Sequence, residues 1–324
     1  MSDMEYRPKQ PVVDVIIPVY RPDKSFRQLL GRLKKQTYPV HQIIVMNTES
    51  AYWDEEEFSD IPEMQVYHVK KTEFDHGGTR NQGAAHSNGD IMIFMTDDAV
   101  PADRYLVERL AAAFERQGPE GETVALAYGR QLPQGNCSLI ERFNREFNYS
   151  EESRIKTKRD LDHMGIKTYF ASNVCCAYRR DIFIKQGGFV SKTIFNEDMI
   201  YAAGAVQAGY AVAYAADARV IHSHNLSGKQ QFRRNFDLAV SQADHPEVFE
   251  GIPSEGEGIR MVKQTAKKLV ETGHICLIPA LVYSSGCKYL GYRLGKRYGE
   301  LPRWVIRLCT SNREYWDKKE RNLP

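Results

Sequence analysis

No segment of this sequence is both long and apolar enough to cross a bilayer. The longest uncharged apolar stretch near the C-terminus, Ile275 to Tyr283, is interrupted by Pro279 and falls well short of the ~20 residues a spanning helix needs. An integral membrane protein is therefore not expected. The N-terminal MSDMEYRPKQP is polar, so neither a leader nor an N-terminal anchor is expected. A basic excess is missing too: 44 Lys and Arg stand against 42 Asp and Glu, which argues against a nucleic-acid partner and requires any anionic ligand to be met locally. The six cysteines, Cys137, Cys175, Cys176, Cys276, Cys287 and Cys309, form no CxxC pair. Cys175 and Cys176 lie in an apolar run, where thiols behave as small hydrophobes, and the expected setting is the reducing cytoplasm. Internal repeats and low-complexity tracts are absent.

What the chain has is length and alternation. Its 324 residues, 42% of them apolar, suffice for one large α/β domain with an appendage. Residues 12–19, VVDVIIPV, are a β-branched run that reads as a buried strand. Phe26, Leu29, Leu30 and Leu33 follow at helical spacing, and a second apolar run spans Gln42 to Met46. Strand, helix and strand in this order are the rhythm of a parallel sheet. The pattern continues with an expected edge strand at Gln65 to Val69, a helix at Thr79 to Ser87 and a central strand at Asp90 to Met95. A helix from Ala102 to Gln117 and a strand from Val124 to Tyr128 come next. Residues 138–165 are charge-rich and irregular, which predicts a helix and a mobile loop or lid. Val174 to Tyr178 reads as a strand, Asn196 to Ala208 as a helix, and Ala211 to His222 as extended chain. Beyond residue 246 helical patterns take over. A catalytic unit over 1–245 and a helical extension over 246–324 are expected.

Two acidic motifs carry the chemistry. Asp97 and Asp98 directly follow the DIMIFM run, at the strand end where open α/β sheets gather ligands. One or two carboxylates plus substrate phosphates suffice to hold Mg2+ or Mn2+, although an Asp capping the next helix would look the same. Glu197 and Asp198 open an apolar-faced helix after Gly187-Gly188-Phe189. Acids at a helix start also stabilise it through the dipole, so capping is the alternative there. Together the motifs supply one group to deprotonate a hydroxyl and another to hold a metal against a departing diphosphate. His222 and His224 are two apart, so on an extended strand they share a face.

In order and spacing, VVDVIIPVY, TRNQGAAHSNGDIMIFMTDDAVP, ASNVCCAYRRDIFIKQGGF, NED and VIHSHN resemble glycosyltransferase family 2. The resemblance implies a GT-A fold, a nucleotide-diphosphate-sugar donor and inversion at the anomeric carbon. FDHGGTRNQGA, MTDDAVP and HSHNLSGKQQFRRNFD further resemble the bacterial rhamnosyltransferases of O-antigen and cell-wall polysaccharide synthesis, which implies dTDP-L-rhamnose as donor. Carried over by position, Asp98 is the last acid of the family's metal motif, with Thr96 in place of the first, and His222 is its strand-end partner. Asp198 matches the base, with Glu197 as orienter or acceptor contact. The implied donor set is Pro18, Tyr20, Asn47, Arg80, Asn81, Asp97 and Arg234. Asn47 replaces the family's Asp after the second strand, and the Trp expected after Arg234 is absent.

A sugar-1-phosphate nucleotidyltransferase would carry a Gly-rich loop after the first strand, and Pro18-Val19-Tyr20-Arg21-Pro22 contains no glycine. A non-catalytic nucleotide-sugar-binding subunit has no need of both acid motifs. Between Lys288 and Arg321, ten Lys or Arg stand against four acids and are interleaved with Tyr289, Tyr292, Tyr298 and Trp304. Such a segment within 285–324 suits an anionic membrane surface, and suits packing on the catalytic unit or on a second subunit equally. The first arrangement would fit a lipid-linked saccharide acceptor.

Overall fold

The computed structural model describes residues 10–61, 63–252 and 255–321; segment 1–9, on which the expectation of neither leader nor anchor rests, lies outside them. One sheet organises the chain. Its strands are β1 (Val13–Tyr20), β2 (Gln42–Thr48), β3 (Met64–Val69), β4 (Ile91–Met95), β5 (Val100–Pro101), β6 (Val124–Leu132), β7 (Arg154–Lys156), β8 (Cys175–Arg179) and β9 (Ala211–Ile221). They lie in the order β3-β2-β1-β4-β8-β6-β9-β5, with β7 also paired to β9. β1 to β4 are mutually parallel where they pair, and β6 runs parallel to β9. β8 is inserted antiparallel between β4 and β6.

The helices are α1 (Lys24–Leu33), α2 (His76–His86), α3 (Leu106–Ala112), α4 (Leu139–Asn148), α5 (Leu161–Met164), α6 (Arg180–Lys185) and α7 (Glu197–Gln207). After them come α8 (Gly228–Asp244), α9 (Pro246–Phe249), α10 (Glu255–Glu271), α11 (Ile278–Lys296), α12 (Arg303–Cys309) and α13 (Arg313–Arg321). Side chains alternate across a strand, so β1 serves two layers at once. Val13, Val15 and Ile17 pack with Phe26 and Leu30 of α1 and Leu110 of α3. Ile16 faces the other side, in the cluster of Ala84, Phe183 and Tyr201 from α2, α6 and α7. Burial on both faces explains why the central strands read as unbroken apolar runs.

Local chemistry moved some boundaries. α2 begins at His76 rather than Thr79 because Asp75 caps it, accepting from Gly78 N at 3.1 Å. The helix expected from Ala102 starts only at Leu106, since Val100 and Pro101 pair with β9 and Ala102 N donates to Arg219 O at 2.9 Å. The expected mobile loop within 138–165 is instead pinned to the sheet. β7 pairs antiparallel with β9, and Lys156 at its end is 1% exposed. The Lys156 ammonium donates to the carbonyls of Lys167 (3.0 Å) and Phe170 and lies 4.8 Å from the Tyr128 ring centroid. A buried lysine solvated by carbonyls and an aromatic face is invisible to a reading that treats charge as exposure.

In the C-terminal part, α11 lies along α8. Gly291 and Gly295, one turn apart, make this approach feasible, because a Cβ at either would collide with the carbonyl oxygen of Phe232 or Phe236. Ile306, Cys309 and Trp316 from α12 and α13 close over Phe236 and Val240.

The edge of β1 is fixed by a buried carboxylate. Asp14 is 0% exposed. It accepts from Ser87 Oγ (2.6 Å), Gly89 N (2.7 Å), Asn88 N (2.9 Å) and Gln42 Nε2 (3.0 Å), with His41 Nδ1 at 2.8 Å. Burial alone would raise its pKa, but these hydrogen bonds outweigh it and hold the group below its ordinary value. Its contribution to stability is thus complete above the unfolded-state pKa of about 3.9 and is lost as pH falls through the lower folded value. Asp14→Asn is expected to cost about 3 kcal/mol in denaturant melts at neutral pH, with the gap to the wild type narrowing in acid. A gap that does not change with pH would show that the charge of Asp14 is not what stabilises this corner.

Candidate active site

The strand directions decide where chemistry can gather. β1, β2, β4, β6 and β9 all present their C-terminal ends at one edge of the sheet. Because β8 runs the opposite way, its N-terminal lead-in, Ser172-Asn173-Val174, arrives at that same edge. Three successive residues of the lead-in reach three parts of the site. Ser172 Oγ accepts from Gln131 Nε2 at 3.0 Å, Asn173 N donates to Asp198 Oδ2 at 2.9 Å, and Val174 O accepts from Thr96 N at 3.2 Å.

Asp98 leaves β4 and meets the two histidines beyond β9. Its Oδ1 lies 3.5 Å from His222 Nε2, and its Oδ2 lies 3.2 Å from His224 Nε2. Among the described residues, Asp98, His222 and His224 form the one group of three potential metal ligands whose donor atoms converge, all within 4.8 Å of one another. β9 ends at Ile221, so it is the chain leaving the strand that brings both rings to one carboxylate; they stand edge to face with centroids 4.7 Å apart. His222 Nδ1 faces Gln131 Oε1 at 3.1 Å. An amide oxygen can only accept, so Nδ1 carries the proton and the Nε2 lone pair points to Asp98. Gln131 is held in turn by Ser172 and by the Arg145 guanidinium. Burial pushes His222 down to about 3, keeping it neutral. Burial also works against ionisation of Asp98, but the hydrogen bond from His224 leads the effects that outweigh it and hold the group at about 2. This donor set of one carboxylate and two imidazoles suits a divalent cation.

Asp97 has a different environment. Burial and then the Asp98 charge push it up to about 6, partly offset by the Tyr20 backbone N–H. It therefore belongs to the β1 side of the cleft.

The second acid pair opens α7. Asn196 precedes it in the left-handed region, φ +65°, which Asn tolerates better than most residues, and its Nδ2 donates to Leu238 O at 3.3 Å. Glu197 is 7% exposed; its carboxylate meets Arg80 Nη1 at 3.2 Å and accepts from Asn173 Nδ2 at 3.2 Å. Burial opposes its ionisation, but Arg80 and His76 outweigh that and lower its pKa. Asp198 goes the other way. Burial and the charge of Glu197 raise its pKa, only partly offset by the N–H groups of Asn173 and Met199. Two adjacent carboxylates are thus pushed apart, the inner one locked as an ion and the outer one, partly exposed, left with the affinity for a proton that a general base needs.

The residues expected to bind a donor separate into those that reach the cleft and those that do not. Pro18 is partly exposed. Tyr20 is 39% exposed and forms an edge-to-face pair with Tyr52 at 5.6 Å, with the Arg21 guanidinium 4.4 Å from the Tyr52 ring. Arg234 is exposed and lies 4.8 Å from the Phe195 ring. Three others are committed within the protein. Asn47 is 0% exposed, with its amide nitrogen spent on Glu49 O (3.1 Å) and His68 Nδ1 (3.0 Å). Arg80 is 5% exposed, and its Nη1 meets Glu197 at 3.2 Å and donates to His76 O at 3.0 Å, while its buried Nε has no protein partner. Asn81 clamps the Gly187-Gly188-Phe189 turn, donating to Phe189 O at 2.8 Å and accepting from Phe189 N at 2.9 Å. Sequence reasoning missed Gln131 and Asn173 altogether. The only signal for Asn173 is a polar ASN triplet immediately before a buried strand.

With this geometry in hand, the chain can be set beside known proteins. Residues 14–187 match the family described as Glycosyl transferase family 2. The O-antigen chain rhamnosyltransferase RfbN of Salmonella typhimurium strain LT2 is 36% identical over 309 residues, 94% of this chain and 96% of the relative. The O-antigen chain rhamnosyltransferase WbaN of Salmonella anatum is 35% identical over 312 residues, 95% of this chain and 96% of that one. Among solved structures, the mannosyltransferase PcManGT from Pyrobaculum calidifontis, in complex with GDP-Man and Mn2+, superposes with a TM-score of 0.53. That match covers 98% of this chain and 89% of the other at 16% identity, and so bears on the GT-A-like fold alone. The extent of the family match and two relatives aligned over nearly the whole chain place this protein in glycosyl transferase family 2.

Proposed function

We propose that the protein transfers L-rhamnose from dTDP-L-rhamnose to a saccharide acceptor in polysaccharide assembly, inverting the anomeric carbon in one displacement. The choice of sugar is supported by the two relatives named as rhamnosyltransferases. The observation that carries the chemistry is the bridging of both acid centres by one short segment, with Ser172 reaching the His222 side through Gln131 and Asn173 holding Asp198.

In this reading Asp198 takes the proton of the acceptor hydroxyl as that oxygen bonds to the anomeric carbon. The bond from that carbon to the donor diphosphate breaks on the opposite side, by analogy with inverting glycosidases. Glu197 is a positioning residue, fixed by Arg80 and Asn173. Tyr20, with Tyr52 and Arg21 beside it, forms the wall for the base, next to Pro18. Asp97 faces the nucleoside, and Arg234 lies open to the phosphates. Asp98, His222 and His224 would hold a divalent cation, for which two imidazoles favour Mn2+ over Mg2+. Such a cation neutralises charge developing on a departing diphosphate.

Three outcomes are expected. Asp198→Asn should lower transfer by roughly 10²- to 10⁴-fold while leaving dTDP-rhamnose affinity, measured by calorimetry, nearly unchanged; retained activity would remove Asp198 from the base role. The acid limb of kcat/KM should lie well above the ordinary Asp value of about 3.9, because the folded-state pKa of Asp198 is raised and the base is lost as pH falls through it. Gln131→Ala frees the His222 ring and is expected to weaken Mn2+ binding by about 10- to 100-fold, read directly by titration. Unaltered Mn2+ affinity would place the ion elsewhere. Assaying nucleotide diphosphate release from dTDP-rhamnose, UDP-glucose and UDP-galactose, with and without Mn2+, tests the donor itself. Release from a UDP-sugar alone would overturn the rhamnosyl assignment.

A further inference from the structure

Exposed apolar side chains are not spread evenly over this protein. Among the described residues, nine of the twelve large exposed hydrophobics fall between Ile259 and Leu308, while the catalytic edge of the sheet accounts for few. Scattered apolar residues on a surface need no explanation, but a concentration of this kind does.

The face can be traced on α11. Its inner side is committed, with Leu281, Gly291 and Gly295 buried and the two glycines seated on the α8 backbone. On its outer side Val282, Gly286, Tyr289 and Arg293 recur at three- and four-residue spacing, with Tyr283 and Leu290 alongside, and all six are exposed. Val282 and Tyr283 are 62% and 65% exposed, and Tyr289 and Leu290 are 52% and 57% exposed. A helix apolar on both sides is ordinarily enclosed on both sides, and here only one side is. On α12 the motif recurs: Trp304 and Leu308, one turn apart, are 66% and 54% exposed, each preceded by an exposed arginine, Arg303 and Arg307.

We propose that the outer face of α11, together with Trp304 and Leu308 of α12, docks on the surface of an anionic lipid bilayer. The chemistry favours that occupant over a second copy of the chain. Arg293 on the outer side of α11 and Arg303 and Arg307 beside Trp304 and Leu308 are all exposed, Arg307 also pairing with Asp317, so a self-interface built on this face would press like charges together, whereas an anionic headgroup layer complements them. Trp and Tyr, apolar with a polar tip, suit the boundary between headgroups and acyl chains. No helix among the described residues is long and apolar enough to cross a membrane, so the helices would lie in the interface rather than span it. The surface is distinct from the Asp98 and Asp198 centres, and nucleotide diphosphate release from the donor reports on those separately.

The test is co-sedimentation of the full chain with vesicles of phosphatidylcholine alone and of phosphatidylcholine with phosphatidylglycerol. Binding is expected to the second kind and to weaken as salt is raised. Leu290→Glu should reduce that binding by about tenfold or more and leave donor hydrolysis unchanged. Trp304→Ser serves as an independent variant if the first fails to fold, and should weaken binding in the same direction. The proposal is overturned if neither vesicle binds the wild type, or if both variants bind as the wild type does. It is equally overturned if the wild type is a dimer that Leu290→Glu converts to a monomer while vesicle binding is absent.

Discussion

The antiparallel insertion of β8 between the parallel strands β4 and β6 is the constraint on which the site depends. A parallel strand in that place would send its C-terminal end to the ligand edge and leave its lead-in at the far side. Because β8 is reversed, Ser172, Asn173 and Val174 enter at the ligand edge and bond in turn to the Gln131–His222 arm, to Asp198 and to the backbone before Asp97. Each of those bonds is modest in isolation. Their value is geometric, since a single rigid segment fixes a carboxylate on a helix start relative to a carboxylate after a strand. Both sides of β8 are paired, to β4 and to β6, so the segment has little freedom to shift.

The electrostatics follow from the same frame. Arg80, expected from sequence near the donor, lies against Glu197 and keeps that carboxylate ionised inside the protein. That fixed negative charge, with burial, raises the pKa of Asp198. Around β9 the logic is inverted: burial keeps His222 neutral, and the hydrogen bond from His224 helps to keep Asp98 charged. In the proposed mechanism the two centres are thereby suited to opposite tasks, one to take up a proton and the other to remain an anion that would ligate a cation.

Much of the fold could be read from periodicity. β1, β2, β4 and α1 are long apolar patterns of one period, and burial on both faces leaves little ambiguity in them. Asp98, Asp198 and His222 could be marked as candidates because acids and histidines at strand and helix ends are local signals. What could not be read depends on partners distant in sequence. Asn81 meets Phe189 across 108 positions, and Asn173 gains its importance only from the reversal of β8. Arg80 and Asn47 each also bond within the protein, Arg80 Nη1 to His76 O and Asn47 Nδ2 to Glu49 O, contacts that no local pattern announces. Lys156, read as part of a mobile charged loop, is buried against Tyr128 and two carbonyls. Side-chain type suggests a role, and competition for hydrogen-bond partners decides whether the role is open.

The central claim is that both acid centres act on one donor at this edge of the sheet. It is tested most directly by a crystal structure of Asp198→Asn with dTDP-rhamnose and Mn2+, using anomalous scattering to place the ion. The expected result is a Mn2+ peak among Asp98, His222 and His224, the diphosphate against it, and the anomeric carbon open toward position 198. A donor bound away from these residues, for instance in the groove at the opposite sheet edge lined by Tyr38, Asp90 and Arg179, would contradict the account, as would a Mn2+ peak that does not touch Asp98.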